Sequence, residues 1–256
     1  MMCPIRSICA SIYFLYYNRM NKDILSSLRD ELLRNVDETT RENAHRFFKE
    51  AVTVYGVKTA TVNGIAKKYF RDIKHLDKNE VFALCKELLR SDYMEEAFIA
   101  FDWAYRLRER YKPDDLRIFE DWLGAYVNNW AKCDTLCNHT IGSFIEQYPE
   151  YADNLKAWTK SENRWLRRAA AVTLILPARA GGFLDDVFEI ADLLLIDKDD
   201  LVQKGYGWML KEASKSHQDE VFSYVMKNKA AMPRTALRYA IEKMPQDLRS
   251  AAMDKG

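Results

Sequence analysis

Three segments of this 256-residue chain combine residue types that could do chemistry. The first runs NNWAKCDTLCNHTIG, from Asn128 to Gly142. On a helix, Trp130 and Asp134 are four apart and share a face. Asp is a poor interior helix residue, so some interaction must justify it there. Two readings are open. Asp134 is either held by a specific partner beside the indole, or it is an N-cap or exposed acid near a helix start, where the dipole favours negative charge. Cys133, Cys137 and His139 in the same segment suggest a metal. Cys133 and Cys137 share a helix face, but His139 points elsewhere. No CxxC or HxxxH pair occurs to complete the four ligands of a zinc site. We therefore expect no metal and read the cysteines as small buried apolar residues.

The second segment, residues 161–179, reads SENRWLRRAAAVTLILPAR. Its periodicity predicts a helix opening near Glu162 with Leu166, Ala169, Ala170, Thr173 and Leu174 on the buried stripe. Arg164, Arg167 and Arg168 at the helix start, and Arg179 at its end, then lie off that stripe. They form either a solvated basic face or a phosphate clamp, since guanidinium forks match phosphate oxygens bidentately. The third segment, QKGYGWMLKEA from Gln203 to Ala213, places Gly205 and Gly207 beside Trp208. Two glycines inside a helix cost about 1 kcal/mol each relative to Ala. They permit close helix packing or the close approach of something else.

The elements that must position these residues are helices. Apolar residues recur at helical spacing in Ile24, Leu28, Leu32 and Leu33, in Val81, Leu84, Cys85, Leu88 and Leu89, and in Val187, Ile190, Ala191 and Leu194. No alternating run of strand length is present. Breaks fall at Tyr111–Asp115, Tyr148–Glu150, Thr159–Asn163, Pro177–Gly182 and Ala231–Arg234. Helix pairs are expected to start near Lys22, Lys58, Tyr93, Trp130, Glu162, Lys198 and Ala231, at intervals of 36, 35, 37, 32, 36 and 33 residues. Such periods belong to stacked helical repeats. No pair can bury its own apolar face, so neighbours stack into an all-α, HEAT-like helical-repeat solenoid, an α-α superhelix with a concave side. An irregular helical bundle is the alternative.

Composition bounds the rest. Hydrophobic residues are 48% and charged residues 30%, enough for a core and too little polarity for long disorder. The 9 Gly and 6 Pro are too few for the turns of a β-sandwich. A net charge of +1 excludes a uniformly basic protein but not a basic face. Five cysteines suggest no disulfide framework, and a reducing cytoplasm is the expected location. No apolar run approaches the length of a membrane span, and no membrane contact is expected. Residues 1–19 carry an apolar run from Ile8 to Tyr17 but no small-residue cleavage site after it. We read them as a dispensable extension rather than a secretory signal, ahead of a single repeat domain over residues 20–256.

Taken together, several pieces resemble the DNA alkylation repair (AlkD-type) glycosylases, which are built from HEAT-like repeats. They are Tyr55-Gly56-Val57-Lys58-Thr59 with Ile65-Ala66-Lys67-Lys68-Tyr69, the Trp130…Asp134 helix, Trp165-Leu166-Arg167-Arg168-Ala169, Gly207-Trp208-Met209-Leu210-Lys211-Glu212, and Met232-Pro233-Arg234-Thr235 with Leu237-Arg238-Tyr239-Ala240-Ile241. The family carries Pro and a basic residue soon after the Gly-Val-Lys stretch, where this chain has Ala60 and Asn63.

The resemblance implies a monofunctional glycosylase that removes cationic N3- or N7-alkylated purines from duplex DNA, without a cofactor. It implies a catalytic set of Asp134, Trp130 and Trp208, with Arg168 beside it. Arg167, Lys211 and Arg238 join Arg168 as candidate DNA-binding residues on a basic side of the solenoid. The expected partner is duplex DNA containing alkylated bases, bound by a monomer. The chemistry is coherent: a carboxylate stabilises an oxocarbenium-like transition state and orients water, and indole faces attract the cationic base. Two other functions fit the same pattern, a catalytically silent binder of distorted DNA and a protein–protein scaffold.

Overall fold

The computed structural model describes residues 23–254; the extension over residues 1–19 lies outside them. The described residues are helical almost throughout and contain no strand, only an isolated bridge between Thr53 and Tyr93. No helix among them is long and apolar enough to cross a membrane. The chain divides into two compact units, one ending at Leu107 and the other beginning at Arg108.

The first unit holds α1 (residues 23–34), α2 (Glu38–Phe47), α3 (Thr59–Ile73), α4 (Lys78–Leu89) and α5 (Met94–Arg106). Helix α5 packs against α3 and α4 and buries Ile99, Phe101 and Trp103. The Trp103 indole N–H donates to the Ala66 carbonyl of α3 at 2.9 Å. Two acids in the first turn of α5 are buried. Glu95 accepts from the backbone N–H groups of Tyr55, Gly56 and Val57 at 2.8 to 3.1 Å. Glu96 takes a guanidinium fork from Arg29 and the Tyr55 hydroxyl. The Tyr-Gly-Val stretch is thus a loop clamped by its own unit. Gly56 stands at φ +89, where a Cβ would lie 2.6 Å from that of Arg41. In α1 the expected Leu28 and Leu32 are fully buried, while Leu25 takes the place of the half-buried Ile24 and Leu33 is 56% exposed.

The second unit holds α6 (Asp115–Tyr126), α7 (Trp130–Thr135), a π-helical stretch (Leu136–Ile141) and α8 (Gly142–Gln147). It continues with α9 (Ala152–Trp158), α10 (Arg164–Val172), α11 (Ile175–Arg179), α12 (Leu184–Leu193), α13 (Asp200–Ala213), α14 (Gln218–Asn228), α15 (Arg234–Ala240) and α16 (Gln246–Met253). Helix α10 is central and touches α6, α7, α9, α12 and α13. Pro177 does not break the chain as expected. It sits inside the short α11, where a proline near a helix start loses no hydrogen bond. The break follows, with Gly181 and Phe183 at positive φ.

The repeat is real. Helices α3, α5, α7, α10, α13 and α15 begin at 59, 94, 130, 164, 200 and 234, close to the expected starts. Side-chain bonds between elements carry the same period. In the second unit the bonds that join one repeat to the next include Arg167 to Asp197, 30 residues apart, and Trp158 to Glu120, 38 apart. In the first, Trp103 reaches back 37 residues to Ala66. Contacts between one repeat and the next are what hold a stacked array together.

Helix α13 lies close against α15 at Gly207. A Cβ at Gly207 would lie 2.7 Å from both the Ala236 carbonyl oxygen and the Tyr239 Cβ. We expect Gly207→Ala to lower stability by about 1–3 kcal/mol through overpacking. Gly64→Ala, on an open face of α3 with nothing within 4 Å, should raise it by about 0.5–1 kcal/mol. Denaturant unfolding of the two variants checks both signs.

Candidate active site

Helix α7 opens with Asn129 in extended conformation, its side chain accepting from the Lys132 backbone N–H at 3.0 Å. Asn129 is therefore the N-cap, and the capping reading of Asp134 is wrong. Trp130 is the first residue of the helix and is half-buried. Asp134 lies one turn further on, 8% exposed. Past Thr135 the helix widens into the π stretch, which buries Leu136, Cys137, Thr140 and Ile141. Cys133 and Cys137 are fully buried, as their reading as apolar residues requires. Burial pushes the Cys133 thiol well above its ordinary range. Its sulfur lies 3.6 Å from the Trp165 carbonyl. Among the described residues no three His, Cys, Asp or Glu side chains converge.

The partner of Asp134 comes from the next repeat. Arg168 of α10 donates from Nε to Asp134 Oδ1 at 2.8 Å and from Nη2 to Oδ2 at 2.7 Å. A third donor, Nη1, bonds the Leu201 carbonyl at the start of α13. Arg168 is 5% exposed, so it is not part of a solvated face. The expected stripe on α10 is corrected in the same way: Arg168 lies within the buried surface, while Leu166 is half-buried. The helix also opens later than Glu162, at Arg164, with Asn163 as its cap. Periodicity fails here because α10 is covered on nearly every side.

Burial raises the Asp134 carboxyl above its ordinary range, against the pull of Arg168. Burial also opposes the charge on Arg168, but Asp134 outweighs it and holds the guanidinium above its usual value. The forked geometry is that of an ion pair.

The contact extends to α13. A Cβ on Gly205 would stand 3.4 Å from the Arg168 Cγ, so this glycine admits the arginine stem. Trp208 follows Gly205 by three residues and shares its helix face. It is half-buried, and its Nε1 donates to Glu212 Oε1 at 3.2 Å. Three neighbouring first helices thus carry Trp130 with Asp134, Arg168, and Trp208. The other sequence-expected residues lie elsewhere. Arg167 pairs with Asp197 at 2.7 Å and donates to the Ser161 and Glu162 carbonyls. Lys211 pairs with Glu242 at 3.0 Å and lies over the Tyr239 ring. Arg238, on α15, is exposed and forms no ion pair among the described residues.

Sequence reasoning missed Glu212 and Asn129. Both leave a local signal. Glu212 is four residues from Trp208 on one helix, and Asn129 precedes the first residue of α7.

Removing Arg168 would leave Asp134 under burial alone, so its folded-state pKa would rise further above the unfolded value. The folded protein would then favour the protonated carboxyl, and stability would fall as pH rises through that raised pKa. We expect Arg168→Met to destabilise the protein by about 3–5 kcal/mol at about pH 8 and by less at about pH 5. Urea titrations at both values check this. A loss independent of pH would show that the variant buries no uncompensated carboxylate.

Comparison with known proteins places the chain. The family profile described as "DNA alkylation repair enzyme" matches residues 28–244. No curated protein matches the chain in sequence. Among solved structures, a predicted DNA alkylation repair enzyme from Enterococcus faecalis superposes with a TM-score of 0.75 at 15% identity, covering 83% of this chain and 98% of that one. It shares the fold. The Pseudomonas fluorescens alkylpurine DNA glycosylase AlkC, bound to DNA containing an abasic site analog, superposes with a TM-score of 0.47 at 15% identity, over 75% of this chain and 54% of that one, too distant to bear on either fold or function. With a single profile spanning most of its length over a shared all-helical fold, the chain belongs to the DNA alkylation repair enzyme family.

Proposed function

We propose that this protein is a monofunctional DNA glycosylase that hydrolyses the N-glycosidic bond of cationic N3- or N7-alkylated purines in duplex DNA. The observation that carries the reading is the buried Asp134 carboxylate, gripped at both oxygens by Arg168 on a helix face that begins with Trp130. An alkylated purine cation is already a good leaving group. As its bond to the sugar breaks, positive charge moves onto the sugar, and a fixed carboxylate beside that charge lowers the barrier. The two bonds from Arg168 use two of the roughly four acceptor directions of a carboxylate, which leaves others to orient the attacking water. Trp130 and Trp208 offer indole faces to the cationic base, each worth about 0.5–2 kcal/mol. Water serves as nucleophile, so no lysine adduct and no strand cleavage are required.

Duplex DNA would be held by basic side chains on successive repeats. Arg238 is the readiest, being exposed and without an ion pair among the described residues. Lys211 is held by its half-exposed partner Glu242 and would have to release it to meet a phosphate. A guanidinium has five N–H groups. Arg168 directs three donor atoms at protein acceptors and is buried, so its part in holding DNA would be to fix Asp134 rather than to reach out to the backbone. Arg168 is the most committed of the four, and Arg167 follows, with Asp197 and two carbonyls as its acceptors.

Two experiments test the reading. Asp134→Asn should slow single-turnover excision of 7-methylguanine from duplex DNA by roughly 10²-fold or more, about 2.7 kcal/mol of transition-state stabilisation, while DNA binding persists. The wild-type rate should fall as pH is lowered through the raised Asp134 pKa, because only the ionised carboxylate stabilises the sugar cation. That acid limb should lie above the ordinary carboxylate range and vanish in Asp134→Asn. Wild-type rates in the variant would remove Asp134 from the chemistry. Arg238→Ala should weaken damaged and undamaged duplex alike and flatten the slope of log affinity against log salt by about 0.9. An unchanged slope would take Arg238 off the DNA.

A further inference from the structure

Glu212 is 4% exposed, and its two carboxylate oxygens have separate partners. Oε2 accepts from Arg179 Nε at 2.6 Å and from Lys215 Nζ at 2.6 Å. Among the described residues, Oε1 accepts only the Trp208 indole N–H. Both cations are half-exposed and lie on the oxygen away from the indole. Burial works against the charge on Glu212, but the bonds from Lys215 and Arg179 overcome it and hold the carboxyl below its ordinary range. The group is therefore a fixed anion at the edge of one aromatic ring.

A tryptophan needs no buried anion to pack. A neutral carbonyl satisfies an indole N–H equally well, as Ala66 does for Trp103, and a buried carboxylate must be compensated by cations brought from elsewhere. What an anion adds is electronic. Accepting the N–H hydrogen bond with a full negative charge pushes electron density into the indole and deepens the negative potential over its face. That potential is what attracts a cation to the ring. We propose that Glu212 is a positioning residue that fixes the Trp208 ring and enriches its face, so that the site prefers cationic bases over neutral ones of the same shape. The proposal rests on the reading of Trp208 as part of the site. It assigns the charge selectivity of that site to a residue that need not touch the base.

The test compares two probes of one shape. One duplex carries 7-methylguanine on a 2′-fluoro sugar, cationic and resistant to excision. The other carries 7-deaza-7-methylguanine, its neutral isostere. The readout is the ratio of their affinities, which a purely structural role for Glu212 would leave alone in any folded variant. Glu212→Gln keeps the size of the side chain, and its amide oxygen can still accept the indole N–H. We expect the ratio to fall about threefold or more with the melting temperature largely kept. A folded Glu212→Gln protein with the wild-type ratio overturns the proposal. Trp208→Phe separates the two levels. If Trp208→Phe leaves the ratio untouched, the reading of Trp208 fails and takes this inference with it. If Trp208→Phe lowers the ratio and Glu212→Gln does not, only the role of Glu212 fails. Should Glu212→Gln not fold, Lys215→Gln replaces it. Removing one of the two cations leaves more negative charge for the indole, so the ratio should rise; an unchanged or lower ratio overturns the proposal.

Discussion

A carboxylate withdrawn from water must be compensated where it stands, and around Asp134 that requirement organises three helices. The compensation comes from α10, whose Arg168 forks both oxygens. The arginine in turn needs somewhere to lie and something for its third donor. Gly205 provides the space against α13, and the Leu201 carbonyl provides the acceptor. One ion pair thereby ties three successive repeats together. Such a pair is a weak device for stability alone, since apolar residues of the same volume often serve as well or better. Its value is placement: it fixes where a charge sits to within the tolerance of two hydrogen bonds.

The repeat makes that placement economical. Each first helix of the second unit carries one part of the arrangement: Trp130 and Asp134 on α7, Arg168 on α10, Trp208 and Glu212 on α13, Arg238 on α15. Because each repeat contacts chiefly its neighbours, a side chain at a given register meets the equivalent register about 34 residues away. The same rule produces the plainly structural contacts, such as Trp158 on Glu120 and Tyr148 on Tyr111. Site and scaffold are made from one kind of contact. An indole on a carboxylate occurs in both, and the difference is that Glu212 is buried and held by two cations while Glu120 is half-buried.

This explains what could be read from the chain and what could not. Helix starts were legible to within a few residues because apolar period, Asn and Asp caps, and proline breaks are local signals. Asn163 and Asp199 cap α10 and α13 with bonds to the next backbone N–H groups. The pairing of Asp134 with Arg168 was not legible, because it joins residues 34 apart and periodicity assigns every arginine to the surface by default. The same default missed Glu95, Glu96 and Glu212, all buried acids. The π stretch after Thr135 also escaped, since its buried residues Leu136, Cys137, Thr140 and Ile141 keep a spacing that an α-helix would bury as well. Family resemblance singled out Asp134, Trp130, Trp208 and Arg168 together. The structure adds which of them touch.

A neutral pair can still stabilise a cation, because the two charges are not equidistant from it. A sugar cation on the free side of the carboxylate would lie about 3.5 Å from the oxygens and about 7.5 Å from the guanidinium centre. With an effective dielectric constant near 20, the attraction is about 5 kcal/mol and the repulsion about 2 kcal/mol, leaving a net of about 2.5 kcal/mol. That is the size of effect a single preorganised electrostatic group supplies in other enzymes, roughly two powers of ten in rate. The orientation of the pair therefore decides whether it helps. With Arg168 anchored by Leu201 and packed against Gly205 on α13, the positive end points toward α13 and the negative end is left for the face of α7 that carries Trp130. Reversing that dipole by swapping the two residues would keep the ion pair and the neutrality, yet present the wrong sign to a developing cation.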